Sequence, residues 1–321
     1  MKNHKHIIEA GQFEVCDIDS LFLTTDKMMR TNPRELLNVL RGKTLACIFY
    51  EPSTRTSSSF IAAMTKLGGG VIPITQGVQF SSVSKGETLE DTIVTLGQYA
   101  DAIVLRHPEL GSASRAAAVS PVPIVNAGDG VGEHPTQSLL DLYTIRNELG
   151  RIEDLNVCFV GDLANGRTVH SLIKLLTLYP NNKIHLVSPT SLGIEGRPLY
   201  EKVKRNIGEI FYVRNSLHEA KNILERSDVI YMTRVQKERF CDPEEYKEVK
   251  DSCVLDVDLV SCMKKTSRIL HPLPRVNEIP TEIDKDPRAA YFRQVKSGLY
   301  VRMSLLIHTM HSLSIIYCHV N

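Results

Sequence analysis

Residues Phe49-Tyr50-Glu51-Pro52-Ser53-Thr54-Arg55-Thr56 end an apolar run with a turn and open a helical pattern. A helix start offers unbonded N–H groups and the positive end of its dipole. With the hydroxyls of Ser53, Thr54 and Thr56 and the Arg55 guanidinium, that makes a cradle for phosphate. The plainer reading is a capping hydroxyl beside a surface arginine. Val104-Leu105-Arg106-His107-Pro108 brings another cation to a strand end, where a solvated loop arginine is the alternative. In residues 126–137 a glycine-rich turn delivers His134, Pro135 and Gln137 to a helix start, where proline is ordinary. The positive helix end disfavours an imidazolium, so His134 is expected to be neutral and able to polarise a carbonyl without protonating it. A capping histidine would look the same.

Three further segments behave alike. Val160-Gly161-Asp162-Leu163-Ala164-Asn165-Gly166-Arg167 lacks the Gly-x-Gly-x-x-Gly spacing, which argues against a nicotinamide site, and it sets Arg167 at a helix start. Tyr231-Met232-Thr233-Arg234-Val235-Gln236 ends a strand in Arg234 and Gln236, and the charges after it read as a solvated face. In His271-Pro272-Leu273-Pro274 two prolines hold the chain extended and expose backbone carbonyls. Taken together, four arginines, a neutral histidine and several hydroxyls at strand ends ask for ligands with several negative charges and one carbonyl.

The elements that must carry these residues alternate. Strands are expected at 44–49, 71–74, 102–105 and 123–126, with helices at 56–67, 88–100 and 134–149. Gly68-Gly69-Gly70 stops the first helix and Gly150 the last. The pattern then restarts with strands at 155–160, 183–187, 228–232 and 268–270 and helices at 167–179 and 219–226. Such alternation implies parallel sheets covered on both faces, hence an α/β fold of two doubly wound domains meeting near Gly150. A long helix over 287–312 has no strand after it and can pack back on the first domain. Ligands of such sheets sit at the carboxyl ends of strands, where every segment above falls.

The 321 residues suit two domains, and the 42% hydrophobic fraction supplies two cores. A net charge of +1 gives no electrostatic case for nucleic acid or an anionic membrane. The sequence offers no apolar stretch of about 20 residues, and residues 7–12 are too polar for a signal-peptide core, so the expected location is cytoplasmic. The seven cysteines are odd in number and include no Cys-x-x-Cys pair. Cys47 and Cys158 sit in apolar runs as small hydrophobes, and a reduced compartment without structural zinc or any other metal is expected.

In order, Ser-Thr-Arg-Thr (53–56), His-Pro-Thr-Gln (134–137), Gly-Arg-Thr-Val-His-Ser-Leu (166–172), Met-Thr-Arg-Val-Gln-Lys-Glu-Arg (232–239) and His-Pro-Leu-Pro-Arg-Val-Asn-Glu (271–278) resemble the aspartate carbamoyltransferase family, over residues 45–306. The resemblance implies carbamoyl transfer from carbamoyl phosphate to the amine of L-aspartate, in pyrimidine biosynthesis, without a cofactor. It implies a carbamoyl-phosphate domain of residues 1–134, joined by the C-terminal helix (about 290–321), an aspartate domain of 135–289, and a site in the cleft between them.

By this resemblance Ser53, Thr54, Arg55 and Thr56 hold the phosphate. Thr56, Arg106 and His134 take the carbonyl oxygen, and Gln137 with the backbone of Pro272 and Leu273 takes the carbamoyl amine. Arg167, Arg234 and Gln236 bind aspartate. Ser81 and Lys85 resemble residues supplied by a neighbouring subunit, which implies a homotrimer with shared sites. Separate regulatory chains are compatible with the family. Ala164-Asn165 replaces a lysine-bearing pair of the best-known bacterial pattern, and Ser84 stands where a second lysine can occur. An ornithine-type enzyme is the nearest rival, but it would need an acidic or neutral pocket and a Ser-Met-Gly loop. A catalytically silent paralogue that scaffolds other enzymes is the second rival, and the full set of family residues opposes it.

Overall fold

The first group of apolar runs forms a sheet of β1 (Thr44–Phe49), β2 (Gly70–Ile74), β3 (Ala102–His107) and β4 (Ile124–Asp129), in the order β2-β1-β3-β4. The second forms β5 (Asn156–Val160), β6 (Lys183–Pro189), β7 (Ile207–Val213), β8 (Val229–Met232) and β9 (Arg268–Leu270), in the order β7-β6-β5-β8-β9. Every pairing is parallel. This computed structural model describes residues 5–75, 85–237, 240 and 242–310. Ser81, Glu238, Arg239, Cys241, Cys318 and the tail beyond residue 310 fall outside the described residues.

The central strands read as continuous apolar runs because both of their faces are covered. Leu45 to Phe49 are all buried, as are Val157 to Val160. Pro73 is tolerated because β2 lies at a sheet edge. The opposite edge is closed by Ile7, whose N–H donates to Ile124 O and whose carbonyl accepts from Asn126 N, each at 2.8 Å. In the second sheet the main chain at 288–290 closes β9 in the same way through Ile269.

Contacts divide the chain into two units. One runs to Leu140 and includes the chain from Lys296 onward, and the other is Asp141–Val295. Both limits fall inside helices, Pro135–Leu149 and Tyr291–Met310. The first unit's core includes Ala46, Ile48, Ile93, Ile103, Leu105 and Ile124. The second's includes Val160, Val187, Leu224, Ile230, Leu259 and Ile269.

The helices expected from apolar spacing are present. Thr54–Lys66 buries Phe60, Ala63 and Met64 on one face. It stops at Gly68, with φ of 82°, where an added Cβ would lie 1.8 Å from Leu37 O, so only glycine fits. The helix expected at 88–100 is shorter, Leu89–Leu96, capped by the Thr88 hydroxyl at Asp91 N. Sequence spacing missed the strand β7 and the helices Val15–Arg30, Pro33–Leu36, Ser112–Val119, Pro198–Val203, Pro243–Val249 and Val257–Cys262. In β7 Gly208 and Glu209 interrupt the apolar run, and an edge strand with an exposed face tolerates them. Among the described residues no helix is long and apolar enough to cross a membrane.

Candidate active site

Both sheets reverse their winding once. In the first the chain steps from β1 outward to β2, then returns to β3 on β1's other side. In the second it runs β5, β6, β7 outward, then returns to β8 beside β5. Loops leaving the two strands at such a reversal diverge to opposite faces and open a crevice at the strand carboxyl ends. The segments carrying Arg55, Arg106, Arg167 and Arg234 belong to the strands at these two points, and those carrying His134 and Pro272 follow the adjacent edge strands β4 and β9.

In the first unit, β1 ends at Phe49, in register with Arg106 of β3. Ser53 caps the helix Thr54–Lys66 without bonding its side chain to that helix, so its hydroxyl is not spent on capping. Backbone N–H groups of a first helical turn have no intrahelical acceptor. Thr56 is buried, Ser53 half-buried, and Thr54 and Arg55 exposed. The Arg106 side chain is only 18% exposed, and its Nε lies 3.3 Å from Glu51 Oε2. Burial pulls its pKa below the usual arginine value and Glu51 opposes the shift. A guanidinium remains a cation regardless.

Beyond β4 the chain turns at Asp129, whose buried carboxylate accepts the N–H of Glu133 at 2.8 Å, the N–H of Gly111 at 3.1 Å and the Asn126 amide at 3.2 Å. Asp129 thereby ties the loop after β3 to the turn that delivers His134. His134 is buried, and its carbonyl accepts the N–H groups of Gln137 and Ser138, so it sits at the start of the helix Pro135–Leu149. Its Nδ1 is 3.4 Å from the Thr136 hydroxyl. Gln137 is buried on the same first turn, and Lys85 is exposed.

In the second unit, β5 ends at Val160 and the chain turns through Gly161, with φ of 113°. A Cβ there would lie 2.2 Å from Thr233 O, so the turn after β5 presses on the backbone after β8. Asp162 strengthens that tie. Fully buried, it accepts the N–H of Asn165 at 3.0 Å and the backbone N–H of Gln236. Burial raises its pKa above the usual carboxylate value although these bonds oppose the rise. Arg167 begins the helix Arg167–Leu176, and Arg234 and Gln236 follow β8, all three half-buried. Pro272 and Leu273 follow β9 and are also half-buried.

The first unit thus gathers Ser53, Thr54, Arg55, Thr56 and Arg106 at one crevice, with His134 and Gln137 beyond the adjacent strand. The second gathers Arg167, Arg234 and Gln236. Sequence reasoning singled out neither Glu51, Asp129 nor Asp162. Each is a carboxylate inside a segment already noticed, but its partner is set by tertiary contact. Among the described residues no cluster of metal-ligating side chains occurs, and Cys16, Cys47, Cys158, Cys253 and Cys262 are free thiols.

The class so defined is a doubly wound α/β protein with arginines and a helix start at the winding reversal of each of two sheets. The family description "Aspartate/ornithine carbamoyltransferase, carbamoyl-P binding domain" matches residues 5–147, and "Aspartate/ornithine carbamoyltransferase, Asp/Orn binding domain" matches residues 153–309. The chain is 47% identical to the aspartate carbamoyltransferase catalytic subunit of Clostridium perfringens, covering 95% of this chain and 98% of that one. It is 48% identical to the multifunctional protein pyr1-3 of Dictyostelium discoideum, but spans only 13% of that protein's length. Among solved structures it resembles aspartate transcarbamoylase from Trypanosoma cruzi in complex with carbamoyl phosphate and aspartate, with TM-score 0.87, 40% identity and coverage of 95% and 97%. The catalytic subunit of the M. jannaschii enzyme gives TM-score 0.85 at 46% identity, covering 95% and 98%. The chain belongs to the aspartate/ornithine carbamoyltransferase family, among the aspartate carbamoyltransferase catalytic chains, and is a transferase.

Proposed function

We propose that this chain transfers the carbamoyl group of carbamoyl phosphate to the amine of L-aspartate, giving N-carbamoyl-L-aspartate and phosphate for pyrimidine synthesis. The observation that carries the reading is the pair of crevices: one joins a helix N-terminus, hydroxyls and two arginines, and the other joins Arg167, Arg234 and Gln236. The first suits a phosphate with an adjoining carbonyl, and the second suits two carboxylates.

In this reading Ser53, Thr54, Arg55 and Thr56 take the phosphate, with Ser81. Thr56, Arg106 and His134 face the carbamoyl oxygen, and Gln137 with the carbonyls of Pro272 and Leu273 takes the carbamoyl amine. Arg167, Arg234 and Gln236 hold aspartate, with Lys85. The aspartate amine attacks the carbamoyl carbon, and the C–N bond forms as the carbonyl π pair moves to oxygen. Arg106, His134 and Thr56 stabilise that oxyanion. The oxyanion collapses, the C–O bond to phosphate breaks, and the leaving phosphate takes the amine proton. Holding two substrates in line supplies much of the rate.

Ser81 and Lys85 come from the neighbouring subunit of a homotrimer, a head-to-tail ring that closes on itself. The assembly works in the cytoplasm, and separate regulatory chains are compatible with it. The test is direct. Purified protein given carbamoyl phosphate with either aspartate or ornithine should form carbamoyl aspartate and phosphate. Citrulline as the sole product would overturn the reading.

A further inference from the structure

The turn assigned above to the carbamoyl amine is gripped by a buried polar chain. His271, directly after β9, is 1% exposed and Glu278 is 4% exposed. Glu278 Oε1 lies 2.8 Å from His271 Nε2, and Glu278 Oε2 accepts the N–H groups of Val276 and Asn277 at 3.1 and 3.2 Å. The other ring nitrogen, Nδ1, lies 2.8 Å from the N–H of Leu273. A backbone N–H can only donate, so Nδ1 is an acceptor. The ring proton then sits on Nε2 and is donated to Glu278.

The grip continues behind His271. Its own N–H donates to Gln294 Oε1 at 3.0 Å, Gln294 Nε2 donates to Asp141 Oδ1 at 2.5 Å, and the Tyr231 hydroxyl donates to Asp141 Oδ2 at 2.7 Å. Gln294, Asp141 and Tyr231 are all buried.

What is held is not the extended chain that two prolines predict but an uncommon backbone. Leu273 has φ of 57°, in the left-handed region that non-glycine residues visit rarely and only with support from their surroundings. Glycine would reach it unaided but would also leave it freely. The Pro272–Leu273 peptide is planar and trans, so its C=O points opposite to its N–H. Fixing Leu273 N–H on the imidazole therefore aims the Pro272 carbonyl away from His271.

We propose that His271 and Glu278 are positioning residues for donor selection: through Leu273 N–H they aim the Pro272 carbonyl at the NH2 group of the carbamoyl donor. This rests on the function proposed above. Its consequence is selectivity, because a donor with a methyl group in place of the amine gains nothing from an aimed carbonyl.

The experiment compares kcat/KM for carbamoyl phosphate and for acetyl phosphate, with aspartate as acceptor, in the intact assembly. Each variant's ratio is taken on the same folded molecules. His271→Leu removes both ring contacts, and the preference for carbamoyl phosphate should fall about tenfold, the effect of one hydrogen bond. His271→Asn keeps a side-chain acceptor that can reach the N–H two residues on, and should restore most of the preference. A His271→Leu enzyme slowed equally with both donors would overturn the proposal. If His271→Leu does not fold, Glu278→Gln decides. It keeps His271 and weakens its anchor, so a reduced preference supports the proposal and an unchanged preference overturns it. If the unsubstituted protein fails to carbamoylate aspartate, or shows no preference between donors, the proposed function itself has failed, whatever the variants do.

Discussion

The crevice between β1 and β3 and the one between β5 and β8 share a topology but not a construction. In the first, a helix N-terminus, three hydroxyl residues and Arg55 lie within four consecutive positions, 53–56, and Arg106 arrives paired with Glu51 at 3.3 Å. In the second, two arginines leave separate strands, and a buried carboxylate, Asp162, ties their turns together. Short-range density of donors suits a compact phosphate. Separated guanidinium groups on braced turns suit the two ends of a dicarboxylate. On the proposed assignment, a common winding fixes where ligands go, while the local donors decide which ligand.

The sharpest way to break this comparison lies at the donor side. On the proposed role of His134 as the carbonyl-polarising group, His134→Ala should lower kcat roughly a hundred- to a thousandfold, with substrate requirements little changed. A variant whose main defect is a raised aspartate KM would move His134 to the other half of the division. Lys85 lies apart from Arg106 along the chain and is exposed. If Lys85 serves a neighbour, inactive Lys85→Ala and Arg106→Ala proteins refolded together in equal amounts should regain activity in roughly a quarter of sites, the chance of one intact pairing in a ring. No recovery at any mixing ratio, with trimers confirmed by native mass, would refute sharing.

The smallest expected effect concerns the brace of the acceptor side. Burial raises the Asp162 pKa, so in the folded chain it binds a proton more readily than in the unfolded one. The sign follows: as pH falls through the raised value towards the ordinary carboxylate value, the wild type should gain stability relative to Asp162→Asn, with no further gain below. Urea midpoints of the two proteins across that window measure it. A difference independent of pH would mean that Asp162 is not destabilised by burial.

Much of this was legible in the sequence where burial forces a simple pattern. β1, β3, β5 and β8 are central strands with apolar residues on both faces, so their ends, and the cations placed there, stood out. β7 did not, because an exposed edge allows Gly208 and Glu209 inside a strand. Helix Val15–Arg30 buries Asp17 and Thr25 among Ile18, Leu21, Phe22 and Met28, and those two polar residues blur its apolar spacing. The roles of Glu51, Asp129 and Asp162 were hidden for another reason. A carboxylate's function here depends on which N–H or guanidinium the fold brings to it, and that partner lies on another strand or on the loop after one.

The division of labour between the crevices is tested most directly by one pair of steady-state measurements. On the proposed assignment, Arg55→Ala and Arg234→Ala each remove a charge-assisted substrate contact of about 1.5–3 kcal/mol, roughly ten- to a hundredfold in binding. Arg55→Ala should raise the carbamoyl phosphate requirement by that factor while aspartate moves little, and Arg234→Ala should do the reverse. Two variants that both weaken the same substrate would contradict the assignment of one ligand to each crevice.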